Sequence, residues 1–145
     1  MVRRLFPLVA LALALCACDN APSDSPADAT RQRLVGTWLR SYEEDGTRVR
    51  RVLVLKEQGV FRELSVATPP DGEPPLASSA SGDWLFDGTN LKRRYRLING
   101  KPLSAPTIPY ATFELRFPAK AEFIGVDHVR KLKVRYERVA EGTVP

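Results

Sequence analysis

The sequence predicts an all-β domain, an eight-stranded antiparallel meander closing into a small barrel. Three observations carry that expectation. From Leu34 onward apolar residues recur at every second position: Phe113, Leu115 and Phe117 alternate with Thr112, Glu114 and Arg116, and Leu132, Val134 and Tyr136 alternate with Lys133, Arg135 and Glu137. That is the period of a strand with one buried and one wet face. No stretch after Arg33 keeps a helical period over a helix's length, and 12 prolines against 9 glycines in 145 residues argue against a mostly helical chain.

The chain opens Met1-Val2-Arg3-Arg4, followed by the uncharged run Leu5 to Ala17. A membrane-spanning helix needs about 20 apolar residues, so the run has the length of a secretory signal and is too short for a stable anchor. It ends in Leu15-Cys16-Ala17-Cys18. This resembles the bacterial lipobox, with an aliphatic residue three before the cysteine and a small residue just before it. The resemblance implies a signal peptide over residues 1–17, cleavage before Cys18, and acyl chains on Cys18 that hold the protein to a membrane. Cys16 fits less well, because bulky Leu15 would take the small-residue place. Two or three acyl chains anchor firmly where one does not. Asp19-Asn20 then resembles the signal for retention in the inner membrane over the outer, on the periplasmic side.

Removing residues 1–17 takes Arg3 and Arg4 and lowers the formal charge from +5 to +3. Nucleic-acid binding thereby loses its compositional argument. Both cysteines are accounted for by the signal and the lipid, so the folded domain has neither free thiol nor disulfide.

Residues 18–31 read as the lipidated cysteine and a flexible linker. Asn20 to Thr30 is small, polar or proline and cannot bury a core; Asp28 or Thr30 is placed to cap a short turn through Arg33. The domain proper is expected over 32–140, with a tail at 141–145. Its strands are expected near 34–42, 48–56, 59–67, 82–86, 90–98, 110–117, 121–127 and 131–139. In the fifth, Leu91, Tyr95 and Leu97 face inward with Arg93 the one charge on the apolar face. Asp45-Gly46-Thr47 and Asp87-Gly88-Thr89 supply hairpin turns. They follow a faint echo, Gly36-Thr37-Trp38-Leu39 against Gly82-Asp83-Trp84-Leu85, which duplication and convergence on good hairpin chemistry explain equally.

Leu34-Val35-Gly36-Thr37-Trp38 opening such a meander resembles the lipocalin-like barrels, and among them the short lipocalin-like bacterial lipoproteins. The resemblance implies that Gly36 and Trp38 are fold markers, with the indole lying across the closed end of the barrel. The chain departs from typical secreted lipocalins in its short length, its lack of a disulfide and the absence of a helical pattern after Val139.

A meander sends alternate loops to opposite ends. The links at 57–58, 87–89 and 119–120 are short; the proline-rich stretches 68–81 and 99–109 lie at the other end with 43–46 and 128–130. That end is the candidate mouth for a ligand. Motifs for chemistry are sparse. His128 stands alone, without the partners a zinc site needs, and Asp127 beside it points elsewhere in an extended chain. Glu43, Glu44 and Asp45 lack calcium-loop spacing. No nucleophile elbow or phosphate loop occurs. Lys92, Arg94, Arg96, Lys133 and Arg135 form outward basic positions, read either as a lipid-facing surface or as a solvated face, with Glu114 and Glu137 offsetting part of the charge. No catalytic residue, metal or cofactor is expected, and no nucleic acid. Two functions remain: a non-enzymatic module holding a small apolar ligand at the barrel mouth, which requires an apolar cavity, or a structural or assembly accessory docking a periplasmic protein through its outer strands, which requires a filled barrel.

Overall fold

The computed structural model describes residues 25–103 and 109–145; Cys18 and the rest of the signal lie outside them. Helix α1 (Pro26–Leu34) precedes nine strands: β1 (Gly36–Glu44), β2 (Thr47–Leu55), β3 (Val60–Thr68), β4 (Leu76–Phe86), β5 (Asn90–Ile98), β6 (Lys101–Pro102), β7 (Tyr110–Ala119), β8 (Glu122–Asp127) and β9 (Leu132–Val139). All pairings are antiparallel. The order β4-β3-β2-β1-β9-β8-β7-β5 closes on itself through β4–β5, and β6 is a short extra strand beside β5. The protein is thus an eight-stranded lipocalin-like barrel. Closure removes most of the edge that an open sheet of this size would expose, although β1 and β9 pair over three residues only.

Two departures from the expected elements have local causes. Residues 26–30, expected within a flexible tether, are helical. Ser25 accepts from the Asp28 amide at 3.1 Å while the Asp28 carboxylate takes the Ser25 amide, a capping box, with Pro26 in the first turn. The second is in the wall. Gly82 pairs with Tyr95 but Ser81 pairs with Leu97, so Arg96 is an extra residue in β5. This bulge reverses the facing of the last residues of β5: Leu97, expected inward, turns out, and Ile98 turns toward the mouth. Only glycine fits at 82, because a Cβ there would overlap the Arg94 carbonyl oxygen and lie 3.1 Å from the Arg96 nitrogen. β4 also begins six residues before the expected strand; its Ala-Ser-Ser-Ala-Ser run has no β-branched side chain to announce it.

Helix α1 covers the closed end. Leu34, its last residue, is fully buried. Arg31 donates to the Glu57 carbonyl at 2.5 Å and lies over the Trp84 ring; Arg33 donates to the Ala119 carbonyl at 2.5 Å and lies over Phe117. Both carbonyls belong to the short links of that end. On the outer face, the tail passes from Glu141, beside Thr37 and Val54, to Pro145, beside Arg48 and Val66. No helix of the described residues is long and apolar enough to cross a membrane.

Candidate functional site

The barrel interior is built in two layers. The lower layer is aromatic. Trp38 is fully buried, its indole nitrogen donating to the Leu34 carbonyl at 2.8 Å. Phe123 meets it edge-on at 4.7 Å, and Tyr136 stacks on Phe123 at 4.9 Å. Arg138 lies 4.3 Å over the indole and donates to the carbonyls of Val35 and Arg33. Gly36, at φ +136°, has no side chain to collide with that guanidinium. Gly36 and Trp38 thus lie together in this aromatic layer, at the end that α1 covers.

The upper layer is charged. The strand register brings inward Arg51 of β2, Glu63 and Ser65 of β3, and Arg93 of β5. Arg93 donates to Glu63 at 2.5 Å; Arg51 lies 3.5 Å from the other oxygen of Glu63 and donates to Ser65 at 2.9 Å. Glu63 is 7% exposed and Arg93 3%. Phe61, Tyr95 and Phe113 surround the Arg93 guanidinium at 5.5 to 5.9 Å, and its Nε has no partner. Burial opposes the Arg93 charge, but its neighbours, the hydrogen-bonded Glu63 carboxylate among them, outweigh it and hold its pKa above the ordinary value. Burial likewise pushes the Tyr95 phenol up. Two cations thus share one carboxylate in the middle of the barrel. Five depressions among the described residues, of about 100 to 620 Å³, lie on the outer face and along the strand seams; none of these five is lined by Trp38, Phe123, Glu63 or Arg93.

At the mouth the register turns Leu76, Ile98 and Leu132 inward, and they are 69%, 41% and 37% exposed. His128 is bonded at 2.7 Å to Glu114, whose carboxyl it holds below the usual range. Asp127 does not touch it: its carboxylate accepts from the amides of Val129 and Arg130, both at 2.9 Å, and so shapes the β8–β9 turn. Glu43, Glu44 and Asp45 form a plain hairpin end, with Asp45 and Gly46 at φ 50° and 77°. Among the described residues no three His, Cys, Asp or Glu side chains gather as a metal cluster.

The five basic positions do not form one face. Lys92, Arg94 and Arg96 are on β5, Lys133 and Arg135 are on β9, and β7 and β8 lie between. Lys92 is paired with Asp87, Arg96 with Asp83 and Arg135 with Glu122. Sequence reading found Arg93 but missed its partners. The signal was present in Phe61-Arg62-Glu63-Leu64-Ser65, where the period of two puts Glu63 and Ser65 on the side of Phe61. No protein-family model matches the chain, and no curated protein matches it in sequence.

Proposed function

We propose that the chain is a lipoprotein anchored through Cys18 to the periplasmic face of the bacterial inner membrane, and that its barrel is a non-enzymatic module docking a protein partner through its outer strands. The observation that carries the second half is the Arg51–Glu63–Arg93 layer. It fills the level at which an apolar ligand would sit with charges that an apolar molecule cannot solvate. The start of α1 at Pro26 sets the geometry of attachment. Residues 19–25, fully extended, reach at most about 25 Å, which keeps the helix-capped end within that distance of the membrane.

A small apolar ligand at the mouth is the second reading, favoured by the inward, exposed Leu76, Ile98 and Leu132. Two experiments test the proposal. Labelled palmitate is expected on the wild-type chain and not on Cys18→Ser, and label persisting on the variant refutes the site. Hexadecanol, a long-chain probe without charge, is expected to leave the barrel empty, and a saturable one-to-one complex would favour the second reading.

A further inference from the structure

β1 and β9 close the barrel over three residue pairs only, Thr37–Val139, Trp38–Arg138 and Leu39–Glu137. β1 nevertheless runs on to Glu44, and β9 begins at Leu132. From Leu39 toward the mouth the two strands therefore lie side by side without a ladder. The hairpin at the end of β1 fixes which backbone groups this leaves open. Asp45 and Gly46, both at positive φ, make a two-residue turn, so the flanking Glu44 and Thr47 exchange hydrogen bonds. Bonded and non-bonded pairs alternate along an antiparallel ladder. Tyr42 and Arg40 are thus bonded to β2, and the N–H and C=O groups of Ser41 and Glu43 point the other way, toward β9. Ser41 and Glu43 are exposed.

The fork is open at the surface. A groove of about 100 Å³ lined by Leu39, Ser41, Arg135 and Glu137 lies in it. It meets at Ser41 a larger groove of about 620 Å³ that includes Arg48, Arg50 and Val66. Lys133 adds a further exposed cation on β9. Arg135 is held by Glu122, and Glu43 and Glu137 are the acids of the fork, so Arg48, Arg50 and Lys133 leave a basic excess around an unpaired strand edge. Natural edges are blunted by charged side chains, proline, a bulge or a covering element; β1 carries no proline or bulge at Ser41, while Glu43 and the tail residue Pro145 line the same groove.

We propose that the Ser41–Glu43 edge of β1 accepts an extended, acidic segment of a partner protein as an added strand. Backbone hydrogen bonds supply the affinity in this mode, and alternate side chains the specificity. The site deepens the outer-surface reading and rests on it; it lies in the mouth half.

The test uses the full chain in detergent micelles and a labelled peptide alternating valine and glutamate. In the free chain the Ser41 and Glu43 amides are expected to exchange with solvent faster than those of Arg40 and Tyr42. The peptide is expected to bind saturably, to slow exchange at Ser41 and Glu43, and to lose binding when its alternate backbone nitrogens are methylated. Ser41→Pro removes an N–H that β2 does not use, as prolines on strand edges do, so it is expected to keep the melting temperature and to weaken the peptide about tenfold. Should that variant fail to fold, the double reversal Arg50→Glu with Lys133→Glu is expected to weaken the peptide instead. Equal protection of residues 40 to 43 in the free chain, no binding of the peptide, or binding that these variants leave unchanged overturns the proposal. Exclusion of hexadecanol alongside such a failure leaves the outer-surface reading intact, whereas hexadecanol uptake removes both.

Discussion

Replacing Glu63 with alanine should be the most damaging single change in the charged layer. Glu63 sits between Arg93 at 2.5 Å and Arg51 at 3.5 Å. Its removal leaves Arg93, 3% exposed and already lacking a partner at Nε, with no carboxylate, and puts two like charges in one enclosure. Breaking a buried ion pair from one side costs about 3–5 kcal/mol, a large share of the roughly 5–15 kcal/mol that holds a domain together. For a domain of this size that lowers the melting temperature by about 12–20 °C. Arg93→Met should cost less, because Glu63 keeps Arg51. The double variant Glu63→Leu with Arg93→Met should recover most of the loss, since apolar replacement of a buried pair is often neutral or better. Thermal melts followed by the fluorescence of Trp38 and Trp84 measure all three. A loss below about 1 kcal/mol for Glu63→Ala, or a double variant worse than either single, would refute the reasoning.

Gly82→Ala should destabilise by about 3 kcal/mol or more, beyond the usual cost of overpacking, because the obstructing atoms are backbone and cannot swing aside; urea melts check it, and a neutral result would remove the bulge. Trp38→Ala should cost about 3–5 kcal/mol and Trp84→Ala no more, while His128→Ala, whose partner Glu114 is also solvated, should stay within about 0.5 kcal/mol in the same melts. Acid should weaken the fold. Lys92, with the Asn90 and Thr89 amides, holds Asp87 below its ordinary pKa, and His128 does the same for Glu114. Carboxylates depressed in the folded state stabilise above their unfolded pKa, near 4, and lose that contribution as pH falls through the folded values. Melting temperature should therefore drop as pH falls below about 4, and less so in Asp87→Asn.

The strands were legible because each carries its own period of two: Phe113 to Phe117 and Leu132 to Tyr136 declare their faces without reference to the rest of the chain. Features that depend on closure were not. Glu63 meets Arg93 because β3 and β5 flank β4, a fact no local window contains. Lys92 and Lys133 looked like one face because their strands read alike, yet β7 and β8 separate them. The bulge at Arg96 inverted Leu97 because an inserted residue leaves the alternation looking intact until the register is known. The open fork between β1 and β9 joins the first and last strands and has no sequence signal. Helix α1 differs: Ser25-Pro26-Ala27-Asp28 is a readable capping signature, outweighed by the small polar composition around it.

We propose that charge fills the barrel at mid-height and that recognition happens outside it. Native mass spectrometry of the Cys18→Ser chain equilibrated with excess hexadecanol tests this most directly, because the probe carries no charge for Arg51 or Arg93 to pair with and no covalent acyl chain confuses the mass. The expected spectrum contains the chain alone; a one-to-one noncovalent complex with hexadecanol would contradict the account.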